Sequence, residues 1–281
     1  MRVLPVLLLF LLALPVAAQD LETSNFADVE KTAADLVEKH GAQKVLIVLD
    51  IDNTLLTTDQ ALGGDAWFNW QAGLLREEPK SPHLVAKDFA GLLRVQGILF
   101  QLSGMHPPER SIPAAVTRLQ KTGAGVMAMT SRGPEYRDVT MRELAANGYD
   151  FSNGSPFGYP GRWLPTPTGL SAEETEKFGF VATRKVSYMS GVFLCSGQHK
   201  GGLLRMLFAL RKLPYKAILF VDDHDRHTKR MREAWTDRGV ELVTYRYAHM
   251  DKEVQTFKDS DKAKVAAQWK KLGDAIRSIF G

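Results

Sequence analysis

Two apolar runs of this 281-residue chain end in paired acidic side chains. Asp50 and Asp52 follow the apolar run Val45-Leu46-Ile47-Val48-Leu49, and Asp222-Asp223 follow Ala217-Ile218-Leu219-Phe220-Val221. Short, unbroken apolar runs with β-branched residues read as strands buried on both faces. The carboxylates then lie at strand ends, where open α/β sheets place their ligands. Two carboxylates in one site can divide the work of nucleophile and general acid when their surroundings push their pKa values apart. Several together make a hard oxygen site of the kind Mg²⁺ takes. One acid pair could equally be a turn or a helix cap; its recurrence after a matching run favours chemistry. A third run, Gly125-Val126-Met127-Ala128-Met129, ends in Thr130-Ser131-Arg132. Ser196-Gly197-Gln198-His199-Lys200-Gly201-Gly202 leads into an amphipathic stretch carrying Leu203, Leu204, Met206, Leu207 and Leu210, which puts Lys200 at a helix start.

In order, the strand and helix ends offer an acid pair, a hydroxyl, a lysine and a second acid pair. This order and setting resemble the haloacid dehalogenase superfamily over about residues 43–247. The stretch from Asp50 through Trp67-Phe68-Asn69-Trp70 is also similar to an uncharacterised bacterial branch of that superfamily. Phosphoryl transfer to a carboxylate requires a nucleophile, neutralisation of phosphate charge and a proton source. The resemblance implies Asp50 as a nucleophile forming an aspartyl-phosphate. Asp52 would be the acid that protonates the leaving alcohol and then the base that takes a proton from water. It implies Mg²⁺ held by the side chains of Asp50 and Asp222 and the backbone carbonyl of Asp52, with Asp223 acting through water. Lys200 would neutralise the phosphate and Asp50 together. Thr130 would donate its hydroxyl to a phosphate oxygen, helped by backbone amides after Asp50. The expected reaction is hydrolysis of a small phosphomonoester. Transfer of the phosphoryl group to another alcohol and a catalytically silent binding protein are the other readings.

Several residues keep two readings at this stage. Arg132 either binds a second anionic group of the substrate or is solvated. His224 and His227 suggest a zinc site, or His227 simply occupies a helix start. Many members of the resembled superfamily carry Asn or Asp where His227 stands. Trp67, Phe68 and Trp70 either line a substrate pocket or form the core of their own segment. Cys195, after Val192-Phe193-Leu194, reads as a packing residue.

The elements that must position these groups alternate between strand and helix. The expected fold is α/β and Rossmann-like, a mainly parallel sheet with helices on both faces. Phe26, Val29, Ala33, Leu36 and Val37 share one helical face between Asn25, a cap, and Gly41. A helical cap is expected at residues 55–111, including a helix with Leu84, Val85, Phe89, Leu92 and Leu93; an insertion of this length has the size of a lid. The catalytic core comprises residues 19–54 and 112–281. It includes a helix from Pro134 to about Gly148 with Met141, Leu144 and Ala145 inward. An irregular loop follows from Asp150 to Leu170, then a hairpin turning at Ser190-Gly191. A helix to about Gly239, a strand from Val240 to Tyr245 and a terminal helix from about Asp261 to Ile279 complete it.

Arg2, the apolar stretch Val3 to Leu14 and the small residues Val16-Ala17-Ala18 read as a signal segment, residues 1–18, cleaved after Ala18. The stretch is short of the ~20 residues of a membrane span, so export to a bacterial periplasm or secretion is expected, with no stable membrane insertion after cleavage; an uncleaved N-terminal anchor is the other reading. The single cysteine excludes an internal disulfide. A net charge of +4, with no basic block interleaved with aromatics, gives no sign of nucleic-acid binding.

Overall fold

Alternate residues of each central strand face opposite layers, and this divides the core in two. Val45, Ile47 and Leu49 face one buried cluster while Leu46 and Val48 face the other. A computed structural model describes residues 18–156, 163–164, 169–236 and 238–280; residues 1–17 of the expected signal segment lie outside them. The strands are β1 (Gln19–Thr23), β2 (Val45–Leu49), β3 (Thr57–Thr58), β4 (Met105–His106), β5 (Gly125–Thr130), β6 (Trp163–Leu164), β7 (Val186–Met189), β8 (Val192–Leu194), β9 (Ala217–Asp222) and β10 (Glu241–Tyr247). The helices are α1 (Phe26–His40), α2 (Asp65–Glu77), α3 (Phe89–Leu102), α4 (Ile112–Lys121), α5 (Arg137–Ala146), α6 (Ala172–Lys177), α7 (Lys200–Arg211), α8 (Asp225–Trp235), α9 (Asp251–Asp259) and α10 (Ala263–Phe280).

Eight strands form one sheet in the order β1-β10-β9-β2-β5-β8-β7-β6, parallel from β1 to β8. The hairpin β7–β8 and the short β6 run antiparallel at the far edge. Helices α1, α4 and α5 cover one face, and α7 and α8 cover the other. The mixed α/β fold, mainly parallel with helices on both faces, is therefore as the sequence leads one to expect. The chain runs from β2 outward to β5 and β8, then returns to β9 on the other side of β2. This reversal of direction opens a crevice at the carboxyl ends of β2, β5 and β9.

Several boundaries differ from the sequence reading. β1 precedes α1 and pairs with β10, because five extended residues there can use the open edge of the sheet. Leu84 and Val85 lie before α3, which starts at Phe89 behind the cap Asp88; the Asp88 carboxylate accepts the Gly91 amide at 2.6 Å. A 3₁₀ turn, Pro134–Tyr136, precedes α5, which buries Val139, Thr140, Glu143 and Leu144, whereas Ala145 is exposed. α8 stops at Trp235, short of Gly239. The stretch expected as an irregular loop contains β6; its residues 157–162 and 165–168 lie outside the described ones.

The insertion between β2 and α4 holds α2 and α3 over the two-stranded ribbon β3–β4. It has its own apolar centre of Leu62, Trp67, Leu92 and Leu99. Trp67 is 1% exposed there, so of the two readings for this tryptophan the core one holds. Val265, Trp269 and Leu272 of α10 and Phe257 of α9 pack into the same cluster. The chain end thus braces the insertion, and α9 is an element the sequence reading did not contain.

The turn Ser190-Gly191 has φ of +49° and +76°, the pair of left-handed residues that a two-residue type I′ hairpin needs. A Cβ at Gly191 would stand 2.1 Å from the Phe151 carbonyl oxygen. Gly191→Ala should therefore lower stability by more than ~2 kcal/mol, read by urea unfolding; a change within ~0.5 kcal/mol, the range of ordinary surface substitutions, would show that the turn tolerates a side chain.

Candidate functional site

Three neighbouring parallel strands end at one edge of the sheet. They bring Asp50, just after β2, beside Thr130 at the end of β5 and Asp222 at the end of β9. The Asp50 amide donates to the Val221 carbonyl at 2.9 Å, so the ladder continues up to the site. Lys200, the first residue of α7, reaches across the edge. Its Nζ donates to Asp50 Oδ1 at 2.5 Å and to Asp222 Oδ2 at 2.6 Å. All three side chains are buried, with Lys200 at 1% exposure. The helix start is held by the His199 Nδ1, which accepts the Gly202 amide at 3.1 Å. Burial lowers the His199 pKa to about 4, so the ring is neutral and able to accept. Gly201 and Gly202 serve close packing. A Cβ on Gly201 would meet Ala234 and the Arg230 carbonyl at 2.8 Å, and one on Gly202 would meet the Phe178 ring at 2.6 Å.

The electrostatics of this cluster are unequal. Burial pushes the Asp50 carboxyl up to about 7, with Asp222 adding to the rise and Lys200 opposing it. Burial also opposes the charge of Asp222, but Lys200 and His227 outweigh it and hold Asp222 well below the usual carboxylate range. Lys200 likewise stays charged against burial because of its two acids. Burial raises Asp223 well above its ordinary value. Asp50, Asp222 and Asp223 offer carboxylate oxygens within 4.8 Å of one another. Asp223 Oδ2 accepts from Asn53 Nδ2 at 3.1 Å, while its buried Oδ1 has no hydrogen-bond partner among the described residues. Three carboxylates converge, one ammonium bonds two of them, and an orphaned acceptor remains on the third. That is a surplus of negative charge and hard oxygen which a cation would satisfy.

Two histidines lie beside this group. His227, on the first turn of α8, has its Nδ1 3.1 Å from both Asp222 oxygens. Burial keeps its pKa low, so the neutral ring donates Nδ1–H to the ionised carboxylate and leaves Nε2 to accept from Arg226 at 3.3 Å. His224 Nε2 lies 3.4 Å from Asp65, the first residue of α2, and this contact keeps its pKa near 10 against burial, with Asp223 assisting. The histidine pair read as a zinc site does not converge: among the described residues, His224 groups with Asp65 and Asp223, and His227 is in neither possible cation cluster.

Asp52 is held differently. Arg132 donates to it through Nη2 at 2.8 Å and Nε at 3.1 Å, a two-pronged clamp. The guanidinium is 3% exposed, lies 4.2 Å from the Phe100 ring centre and bonds Thr140 Oγ1 at 3.0 Å. The solvated reading of Arg132 therefore does not hold: the side chain is buried and paired with Asp52, and it lines the cavity above. Thr130 Oγ1 accepts the Arg132 amide at 3.1 Å and lies 3.4 Å from Asp52 Oδ2, so it too is directed at that carboxylate. Of the backbone amides after Asp50, those of Asn53 and Thr54 close the turn on the carbonyls of Leu56 and Ile51. Asn53 takes φ +58° in that turn, a conformation asparagine tolerates. Cys195 is buried, and burial raises its thiol pKa, in keeping with packing.

A cavity of about 870 Å³ opens over Asp50 and Asp52. α2 and α3 supply one wall, including Phe68, Phe89 and Phe100, and the mouth carries Arg184, Lys185 and Arg226. Phe68 thus meets the pocket, whereas Trp70 packs edge-on to Phe257 at 6.2 Å. Sequence reasoning missed Asn53, Asp65 and Phe100. The signal for Asn53 was its place directly after Asp52; the other two act across long sequence separations and left none.

The model of the DUF2608 family, described as a protein of unknown function, matches residues 22–278. The chain belongs to this family. It is 25% identical over 241 residues to a Chlamydia trachomatis protein named "Putative outer membrane protein", covering 83% of this chain and 80% of that one. A Chlamydia pneumoniae protein with the same description is 21% identical over 221 residues, covering 78% and 74%. Among the described residues, no helix is long and apolar enough to cross a membrane.

The raised Asp50 pKa gives a stability signature. The folded chain binds this proton more tightly than the unfolded one, so stability falls as pH rises from 3.8 toward 7. Asp222 shifts the other way and changes stability only below its ordinary value of 3.8, outside that window. His199, its pKa lowered to about 4, acts in the opposite sense within this window. The Asp50 part is therefore read as a difference: in EDTA, Asp50→Asn should shift the slope of the unfolding midpoint against pH toward a rise, relative to the wild type. Equal slopes in the two proteins would contradict the assignment.

Proposed function

We propose that this protein is an exported, Mg²⁺-dependent phosphatase of the haloacid dehalogenase type, hydrolysing a small phosphomonoester through an aspartyl-phosphate on Asp50. The observation that carries the reading is Lys200, buried between Asp222 and the cavity-lining Asp50, with an Asp223 oxygen that has no partner among the described residues in the same acid cluster. Mg²⁺ would neutralise charge on the transferring phosphoryl oxygens, and Asp50, Asp222, Asp223 and the Asp52 carbonyl are the groups that would hold it.

An Asp50 carboxylate oxygen attacks phosphorus and the bond to the leaving alcohol oxygen breaks. That oxygen takes its proton from the Asp52 carboxyl. In the second half, Asp52 takes a proton from water, the water oxygen attacks phosphorus, and the bond to Asp50 breaks to give inorganic phosphate. Lys200 keeps Asp50 in position and offsets the charge that gathers beside it. Arg132 holds Asp52 through two hydrogen bonds and so positions it for both halves of the reaction. Thr130 holds its hydroxyl at the same edge, available as a donor. Export is supported by the apolar N-terminal segment and by the outer-membrane wording in the relatives' names.

The purified protein should hydrolyse p-nitrophenyl phosphate with Mg²⁺ and lose that activity in EDTA. Asp50→Asn should fold, as judged by circular dichroism, and turn over at least ~10³-fold more slowly. Inactivity of the wild type, or activity retained by Asp50→Asn, would overturn the proposal.

A further inference from the structure

The phosphoryl group would occupy only the floor of the cavity, and the rest of its volume, about 870 Å³ in all, falls within the range that receives a drug-sized organic molecule. The insertion's wall carries an apolar strip of Phe68, Ala72, Phe89, Leu93 and Phe100 beside the polar Asp65, Asn69, Arg76 and Gln96. Phe89 is 50% exposed, yet it does not dangle. It is the first residue of α3, its backbone fixed by the Asp88 cap, and its ring meets Phe68 edge-on at 6.0 Å and 67°. A large apolar ring held open toward water on a cavity wall forgoes burial that a ligand would restore. Asn69, the amide nearest in sequence on this wall, already donates to Asp65 at 2.8 Å. Lys185 and Arg226 also line the cavity and favour entry of an anion.

We infer that the alcohol part of the substrate is a flat apolar group, an aryl or arylalkyl, received against Phe68 and Phe89. This rests on the phosphatase reading for the reaction, but the shelf can be tested apart from it. 2-Phenylethyl phosphate and ethyl phosphate are both esters of primary alcohols, so their leaving groups need the same proton and differ in the ring. The wild type with Mg²⁺ should favour the phenylethyl ester by about tenfold or more in kcat/KM, the effect of one buried ring. Phe89→Ala, folded by its melting curve, should reduce this ratio severalfold. The non-hydrolysable pair 2-phenylethylphosphonate and ethylphosphonate, titrated calorimetrically, should show the same preference in Kd. A ratio near one for both pairs, or a preference untouched by Phe89→Ala, would overturn the shelf. A Phe89-dependent phosphonate preference without turnover of either ester would keep the shelf and overturn the phosphatase reading.

Discussion

The ammonium of Lys200, removed from water and shared by Asp50 and Asp222, governs how this site is built. Desolvating a lysine and two carboxylates is expensive, and the arrangement holds only because each charge finds its partner within hydrogen-bonding distance. The sheet supplies the acids, since parallel pairing of β2 with β9 sets their carboxyl ends side by side. α7 supplies the lysine, and two adjacent glycines let that helix sit close enough to α8 and Phe178 for its first residue to reach the edge. His227 then fixes Asp222 from the far side. One ammonium cannot balance all the carboxylates that converge there, and this imbalance is what makes the cluster suited to further cationic charge.

A second pair, Asp52 with Arg132, connects the site to the insertion. Arg132 leaves β5, bonds Asp52, and is covered by Phe100 of α3. The insertion is anchored in turn at its other helix, where Asp65 meets His224 next to Asp223. Its apolar centre is completed by α9 and α10, so the end of the chain supports the wall of a cavity whose floor forms near residue 50. The insertion that walls the cavity and the segment that carries the acids are therefore packed as one unit.

Strand ends were legible because buried parallel strands are written as unbroken apolar runs, and carboxylates directly after such runs have few other reasons to be there. This located Asp50, Asp52, Thr130, Asp222 and Asp223 on one edge, and the amphipathic stretch after Lys200 added the lysine. The helix α1 was equally plain, from its cap at Asn25 to Gly41. What the sequence did not carry was pairing across distance. Arg132 with Asp52, and Asp65 with His224, have no local pattern that announces them. β1 was hidden because five mixed residues become a strand only where β10 leaves an edge open. α9 and the bracing role of α10 depend on tertiary contact with an insertion some two hundred residues earlier.

The central claim is that Asp50 captures phosphorus covalently, and trapping the phosphorylated peptide reads it directly, with isotope labelling showing which atom water attacks. A single-turnover reaction with excess enzyme in water enriched in oxygen-18 leaves all phosphate oxygens from the substrate except the one that hydrolysis adds. Peptide mass spectrometry after repeated turnover, in the same water, then reports whether the heavy oxygen enters the carboxyl. If water attacks phosphorus, the single-turnover phosphate carries one heavy oxygen and the peptide containing Asp50 stays light, and rapid acid quenching during turnover traps that peptide with the mass of one added phosphoryl group. Failure to trap phosphate on this peptide while product accumulates, or its trapping on another residue, would contradict the account.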